Sequence, residues 1–313
     1  INFMKIPSEN KIIGHRFSQM SDKKIKSFDD YLNFLKKSDV ILDFESRKKK
    51  ILDEIKKIEK KEKVYVNSDI DLINHVSNLT EHPRVLMGSF DKSFLKIPKE
   101  VINSIMKNHQ KYFSVYSTSK MSSLVSKFIF VAGSPYLDNN KVVKGNEKVL
   151  AARLNDGKFF YEEDIKSGLE KIRDKIDHIT FIEGIGSYGD KARRVGKLAL
   201  KIREMLCLNI DVDDIIKTSE LCKADLASQM VFEFPELQGI MGGYYYLNTN
   251  KDIANSITSH YLPKTRDDSL PKDNLSKIIS ISDKLDTICS AFHMRLLPTG
   301  SSDPYGLRRC CIG

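Results

Sequence analysis

Two arginine pairs are the residues of this chain whose chemistry best suits a charged ligand. Arg193 and Arg194 lie at one predicted helix start, and Arg308 and Arg309 lie at another. A guanidinium group binds phosphate through parallel hydrogen bonds, and the free N–H groups of a helix N-terminus add positive potential. We therefore expect both pairs to contact the phosphates of a nucleic acid. Intramolecular salt bridges are the alternative that the sequence leaves open.

His109 and Lys111 form a second candidate contact for nucleic acid, beside the aromatic Tyr112. Aromatic rings stack on bases, while a cation contacts the backbone of the strand. A single histidine of this kind is more often hydrogen-bonded within its own fold. A structural role therefore stays open for both residues.

Recognisable catalytic motifs are missing from the sequence. It contains no glycine-rich phosphate loop, no nucleophile elbow and no catalytic pair of carboxylates. It also contains no His-Asp dipeptide, and His178, His260 and His293 are scattered. Its five cysteines include no Cys-x-x-Cys pair, which argues against a zinc site or a disulfide framework and fits a reducing compartment.

The composition is compatible with an acidic macromolecule as partner. The 313 residues carry a formal net charge of +9. RNA would suit this excess, although a general preference for lysine explains it equally well. The length allows two domains with a sizeable core. No apolar run approaches the roughly 20 residues that span a membrane, and no signal peptide opens the chain.

The first half of the chain has a mixed pattern. Residues 63–66 and 127–132 are rich in β-branched and aromatic side chains, which predicts two strands. Pro98 opens a helix between them, at a position where its missing N–H costs least. Residues 29–63 form a charged amphipathic helix or a pair of helices, whose basic face is either solvated or bound to phosphate.

From Gly145 onward the pattern is almost entirely helical. Apolar residues at helical spacing predict five helices, around 149–153, 195–206, 215–226, 253–261 and 275–292. We place a domain boundary near residues 140–160, after the turn at 138–140. The expected fold class is multi-domain α+β, with a mixed α/β domain at 1–150 followed by an all-α helical domain at 151–313.

The segment 233–245 interrupts this helical pattern with a proline and three glycines. Pro235 stops or kinks a helix, and Gly239 and Gly242 flank two apolar residues. Glycine lets backbones approach closely or adopt a positive φ. We expect a buried helix break rather than a surface for recognition.

A series of motifs in this order resembles the bacterial glycyl-tRNA synthetase β subunit. The motifs are Gly14-His15-Arg16-Phe17, Glu81-His82-Pro83, Phe94-Leu95-x-Ile97-Pro98, Met106-x-x-His109-Gln110, Gly145-Asn146-Glu147, Phe159-Phe160-Tyr161, Lys223-Ala224-Asp225-Leu226, Ser282-Asp283-Lys284-Leu285-Asp286 and Leu307-Arg308-Arg309. Residues 18–80 contain no motif of that family. The chain begins at Ile1 and ends at Gly313, so we expect a central fragment that lacks the family's anticodon-binding end.

The resemblance implies a role in an aminoacyl-tRNA synthetase of the cytoplasm. The whole enzyme would ligate glycine to tRNA(Gly) with ATP and Mg, and this chemistry would belong to the separate α subunit. The fragment itself would be non-catalytic and would need no cofactor. Its expected partners are the α subunit and tRNA(Gly), within a hetero-oligomer and away from any membrane.

The helical half also resembles the HD superfamily of metal-dependent phosphohydrolases, with its ligands changed. The resemblance places Lys191 where that superfamily has its first histidine, Ala224-Asp225 where it has the His-Asp pair, and Asp283 at the distant aspartate. An ammonium group repels a metal ion. We therefore expect a degenerate site without metal, in which Asp225 and Asp283 pair with Lys191. An active phosphohydrolase and a structural scaffold for the α subunit are the alternative functions.

Overall fold

The computed structural model describes residues 2–3, 6–7, 9–265, 268–300 and 302–312. The chain divides into two compact units, Ile1–Asp156 and Gly157–Gly313, which we call the first and the second unit. The division of the sequence into domains at 150/151 stays a prediction.

The first unit combines small sheets with five helices among its described residues. Its strands are Asn2–Phe3 (β1), Ile6–Pro7 (β2), Lys11–Ile12 (β3), Lys23–Lys24 (β4), Tyr65–Val66 (β5), Arg84–Ser89 (β6), Phe113–Tyr116 (β7) and Leu124–Ala132 (β8). Its helices are Phe28–Lys37 (α1), Phe44–Glu62 (α2), Ile70–Leu79 (α3), Lys99–Ser104 (α4), which continues as a π-helical turn over Ile105–Gln110, and Asn139–Ser167 (α5), which ends in the second unit.

The core of the first unit lies between the helices α2 and α3 and an antiparallel sheet of order β5-β7-β8-β6. Asp43 caps α2 by accepting a hydrogen bond from the Ser46 N–H, and Lys63 ends it in a left-handed conformation. The α2 residues Ile51 and Ile55 are fully buried in this core. The predicted pair of charged helices is therefore present as α1 and α2, and the predicted strands are present as β5 and β8.

The second unit is mainly helical. Its helices are Leu169–Arg173 (α6), Tyr188–Met205 (α7), Val212–Leu221 (α8), Gln229–Glu233 (α9), Ile240–Tyr246 (α10), Lys251–Ser259 (α11), Asn274–His293 (α12) and Leu307–Ile312 (α13). Short 3₁₀ turns cover Asp174–His178, Ala224–Ala227 and Pro235–Leu237. Among the described residues, no helix is both long enough and apolar enough to cross a membrane.

The expectation of an all-α second half is wrong in one respect. Thr180–Ile182 (β9) and Gly186–Ser187 (β10) form an antiparallel hairpin in the second unit. Gly184 and Gly186 make this turn possible, since their φ values are +82° and +119°, where residues with a Cβ are strained. The hairpin leads directly into α7.

Capping and apolar spacing fix the helices that carry the site. Ser187 and Asp190 form a capping box at the start of α7, and Asp273 caps α12 by accepting from the Ser276 N–H. Val195 and Ala199 of α7 are fully buried in a core shared with α8 and α12. This packing holds the polar residues of α7 against α12.

The predicted helix break is present, because α9 ends at Glu233 and α10 begins at Ile240. Gly239 has a φ of +79°, and a Cβ built on it would lie 2.6 Å from Cδ2 of Tyr261. Leu237, Met241 and Gly242 are buried. The glycine is required both by its backbone conformation and by the ring packed against it.

Replacing Gly239 by valine should therefore destabilise the second unit by about 1–3 kcal/mol, because both a positive φ and a ring contact oppose the new side chain. The free energy of unfolding in urea measures this loss. Gly145→Val is the matched control, since a Cβ added at Gly145 would meet no atom within 4 Å and its φ is not positive. Equal stability of the two variants would show that the break tolerates a side chain.

Candidate functional site

Lys191 of α7 lies inside the second unit with only 2% of its surface exposed. Its Nζ donates hydrogen bonds to the backbone oxygen of Asp283 at 3.0 Å and to Oγ1 of Thr287 at 2.8 Å. The same Nζ lies 3.1 Å from Oδ1 of Asp283 and 3.1 Å from Oδ2 of Asp286. Since all three partners belong to α12, Lys191 joins α7 to α12.

Lys223 supplies a second buried ammonium group on the other side of the same carboxylate. Its Nζ donates to Oδ2 of Asp283 at 2.9 Å and to Nε2 of His260 at 2.9 Å. The His260 ring is oriented by Nδ1, which lies 2.6 Å from the carbonyl oxygen of Ile257 and donates to it. Burial and the Lys223 charge lower the pKa of His260 well below its usual value, so this histidine is a neutral acceptor.

We call Lys191, Lys223, Asp283 and Asp286 the buried ion cluster. Burial alone would raise the pKa of Asp283, but the ammonium groups of Lys191 and Lys223 outweigh it and hold this pKa well below its usual range. Asp283 is therefore ionised at neutral pH. A single carboxylate takes charge-assisted hydrogen bonds and ion contacts from two lysines of different segments.

Asp286 completes the cluster through an arginine that the sequence assigned to nucleic acid. Nε of Arg194 lies 2.5 Å from Oδ1 of Asp286, and Nη2 lies 3.1 Å from Oδ2. This is a two-point contact with a carboxylate that is only 7% exposed. In this structure Arg194 therefore forms an intramolecular salt bridge, which is the alternative that the sequence left open.

Asp225 does not join the ion cluster, contrary to the expected pairing with Lys191. Its Oδ2 accepts the backbone N–H groups of Gly239 at 2.5 Å and Gly242 at 2.9 Å. Burial raises the pKa of Asp225 to about 6, although these two N–H groups oppose the shift. Asp225 therefore holds the helix break in place, and the adjacent Ala224 is fully buried.

The residues at the four HD-type positions do not suit a metal ion. Lys191 brings a cation, Ala224 brings no donor, Asp225 is committed to two N–H groups, and Asp283 is shared by two ammonium groups. Within the described ranges, no group of three or more His, Cys, Asp or Glu side chains is placed to hold a metal. A divalent ion would meet positive charge rather than a set of ligands.

Arg193 also forms ion pairs within its own unit. Its guanidinium contacts Asp177 at 3.0 Å and Asp190 at 2.8 Å, while half of the side chain stays exposed. By contrast, Arg308 and Arg309 are exposed on α13, and Arg308 donates to the carbonyl oxygen of Thr299. The two pairs thus differ, because among the residues that the structure describes only the first pair is joined to carboxylates by salt bridges.

His109 and Lys111 lie at the end of the π-helical turn that follows α4. Lys111 has a left-handed backbone with a φ of +58°, and its Nζ donates to the backbone oxygen of Asn108 at 2.7 Å. His109 is exposed. Neither position contradicts a contact with nucleic acid, and neither favours one over a structural role.

Sequence reasoning missed Lys223, His260 and Asp286. Lys223 directly precedes Ala224-Asp225, so its position beside a site residue was a usable signal. Asp286 follows Asp283 by three residues, a spacing that places both on one helix face. His260 had no signal of this kind, because only the fold brings α11 to the cluster.

The comparisons with known proteins cover almost the whole chain. The family model for the glycyl-tRNA synthetase beta subunit matches residues 1–313. The glycine–tRNA ligase beta subunit of Listeria monocytogenes serotype 4a (strain HCC23) is 40% identical over 311 residues, covering 98% of this chain and 45% of the relative. That of Streptococcus uberis is 42% identical over 318 residues, covering 100% of this chain and 46% of the relative.

The chain spans less than half the length of these curated relatives. The matched region nevertheless covers almost every residue of this chain. A family-model match over the whole chain is decisive for membership. The chain therefore belongs to the glycyl-tRNA synthetase beta subunit family.

Proposed function

We propose that this chain is a non-catalytic part of glycine–tRNA ligase, in which it positions tRNA(Gly) and associates with the α subunit. The whole enzyme would ligate glycine to tRNA in the cytoplasm, with ATP and Mg bound by the α subunit. Family membership over residues 1–313 is the observation that carries this proposal. The exposed pair Arg308 and Arg309, on a chain of net charge +9, supports contact with RNA.

The helical part of the second unit is, in this proposal, an HD-like domain that has exchanged metal ligands for an ion cluster. Lys191 and Asp283, which take two of the HD-type positions, are bonded to each other. This donor set disfavours the alternative of an active phosphohydrolase. Stoichiometric Mn, Fe, Co or Zn in the purified protein, together with phosphohydrolase turnover, would establish that alternative.

The isolated chain is expected to show no exchange of pyrophosphate into ATP in the presence of glycine. It contains no motif that cradles the phosphates of ATP, and the proposal assigns that site to the α subunit. Exchange assays with the chain alone, the α subunit alone and the mixture measure this. Exchange by the chain alone would refute a non-catalytic role.

Contact with tRNA is expected to depend strongly on salt, because neutralised phosphates release counterions. Each lost phosphate contact should reduce the slope of log binding constant against log salt by roughly 0.7–0.9. We expect this reduction for Arg308→Ala/Arg309→Ala, whose side chains are exposed on α13. Titrations of labelled tRNA at several salt concentrations measure both slopes.

The double variant Arg193→Ala/Arg194→Ala is the matched control for that titration. Its two arginines form ion pairs with Asp177, Asp190 and Asp286. A smaller change in slope is expected for this pair. Because phosphate contacts read no bases, both effects should be similar for unrelated tRNAs. An unchanged slope in both variants would favour the scaffold alternative, in which the chain contacts only the α subunit.

A further inference from the structure

A cavity of about 580 Å³ lies within the second unit, next to the buried ion cluster. Its walls include both lysines of the cluster, and Lys264, Lys284 and Arg309 add three further cations. The only carboxylates among the described lining residues are Asp283 and Glu236. The described part of the cavity wall therefore has three positive charges in excess, since His260 is neutral.

The carboxylate behind the cavity does not remove this excess. Asp286, which lies against Lys191, is itself bonded at both oxygens to Arg194. Asp283 is shared by Lys191 and Lys223. In the wall and directly behind it, two aspartates therefore face three cations, before the remaining lysines and Arg309 are considered.

Lys284 is a single side chain whose positive charge has no carboxylate among its hydrogen-bond acceptors in the described residues. Its Nζ donates to the carbonyl oxygen of Leu262 at 2.6 Å and to the hydroxyl of Ser280, which are neutral acceptors. Burial lowers the pKa of Lys284, although the nearby Asp283 opposes the shift. An anion in the cavity would stabilise the charged form of this lysine.

The other lining groups suit an anion that has an aromatic part. Tyr188, Tyr305 and Phe181 present rings to the cavity, and the two tyrosines have hydroxyl donors. Small-molecule sites commonly enclose about 300–1,000 Å³, so the cavity has the size of such a site. Phosphate offers only acceptor oxygens, which matches a wall of ammonium, guanidinium and hydroxyl donors.

We propose that this cavity binds the phosphate group of a small phosphate compound, either a nucleoside monophosphate or free phosphate. Arg309 and Lys264 contact the phosphate from the cavity wall, and Lys284 adds its charge. The bound compound is a ligand, and no reaction is involved. The inference goes beyond the proposed function, because binding needs neither tRNA nor the α subunit, although Arg309 is assigned to both sites.

Calorimetric titration of the full chain with AMP, inorganic phosphate and adenosine tests this site at constant ionic strength. We expect saturable binding of AMP at one site and none of adenosine. Tighter binding of AMP than of phosphate identifies a nucleotide as the source, whereas equal affinities identify free phosphate. No saturation by either compound at millimolar concentration would overturn the proposal, as would binding of adenosine as tight as that of AMP.

Arg309→Ala and Arg308→Ala are a matched pair for locating the site, because both arginines are exposed on α13 but only Arg309 lines the cavity. Arg309→Ala should weaken binding about tenfold, as expected for one lost charge-assisted hydrogen bond. Arg308→Ala should leave the affinity unchanged. Equal losses in the two variants would place the anion outside the cavity and overturn the proposal. Lys264→Ala is a second variant, and it should weaken binding as Arg309→Ala does.

Discussion

Asp283→Ala is expected to destabilise the second unit by about 3–5 kcal/mol, the usual cost of removing one partner from a buried ion pair. Lys191 and Lys223 would both lose their shared carboxylate while staying almost completely buried, with 2% of each residue exposed. This variant should be the most damaging single change in the cluster.

Cys222 offers a readout specific to the second unit, because this free thiol is completely buried in that unit's core. The rate at which a thiol reagent modifies Cys222 in urea, followed by mass spectrometry, reports the opening of the unit. Glu162→Ala is the control, since Glu162 is 61% exposed and lies 3.7 Å from Lys158. Such a surface pair contributes about 0–1 kcal/mol. Similar losses in the two variants would mean that the cluster is solvated.

Asp225 is expected to stabilise the folded protein at acid pH, by a contribution that is lost between about pH 4 and pH 6. The variant Asp225→Asn should lack this pH-dependent contribution. The pKa of Asp225 is raised by burial to about 6 in the folded protein, against 3.8 for an ordinary aspartate. Since the folded state then holds the proton more tightly, stability is fully present below about pH 4 and is lost as the pH rises through 6. The expected loss is about 3 kcal/mol, at 1.36 kcal/mol per unit of pKa shift.

The free energy of unfolding is measured from pH 4 to pH 8 for wild type and variant. The difference between the two curves gives the contribution of Asp225 at each pH. The opposite contribution of His260, whose pKa is lowered, is present in both proteins and cancels. Asparagine keeps an oxygen that can accept from Gly239 and Gly242. Asp174→Asn, at a side chain that is 76% exposed, is the control and should show no such pH-dependent difference. Parallel curves for wild type and Asp225→Asn would show that Asp225 titrates normally.

The apolar spacing was enough to predict most of the helices but only part of the sheet. The buried residues Val195 and Ala199 follow the predicted stripe of α7. Strand β7 was not predicted, because all four of its residues are buried and so show no alternation of polar and apolar side chains. Strand β6, in the same sheet, begins directly after the motif Glu81-His82-Pro83 and was not predicted either.

Helix α12 shows where sequence reasoning reached its limit. Leu285 and Phe292 belong to the apolar residues that predicted this helix, yet they are 41% and 57% exposed. The buried face contains Asp283 and Asp286 instead. These two carboxylates are buried because cations meet them, and those cations lie 60 to 95 residues away in the sequence. No local pattern contains that information, so only the resemblance to HD-type positions pointed to Asp283.

The pairing of Lys191 and Lys223 at one carboxylate has a consequence for how the protein responds to its surroundings. Two ammonium groups bring Asp283 the same formal charge as a divalent ion, but both are attached to the chain. A bound metal stabilises a fold by mass action, so its contribution varies with the concentration of free ion and disappears in a chelator. The ammonium groups of Lys191 and Lys223 are attached to the chain, so their contribution does not vary with the concentration of any free ion. The ion pairs that join α7 to α12 therefore do not depend on the supply of metal ions, because their cations are part of the polypeptide.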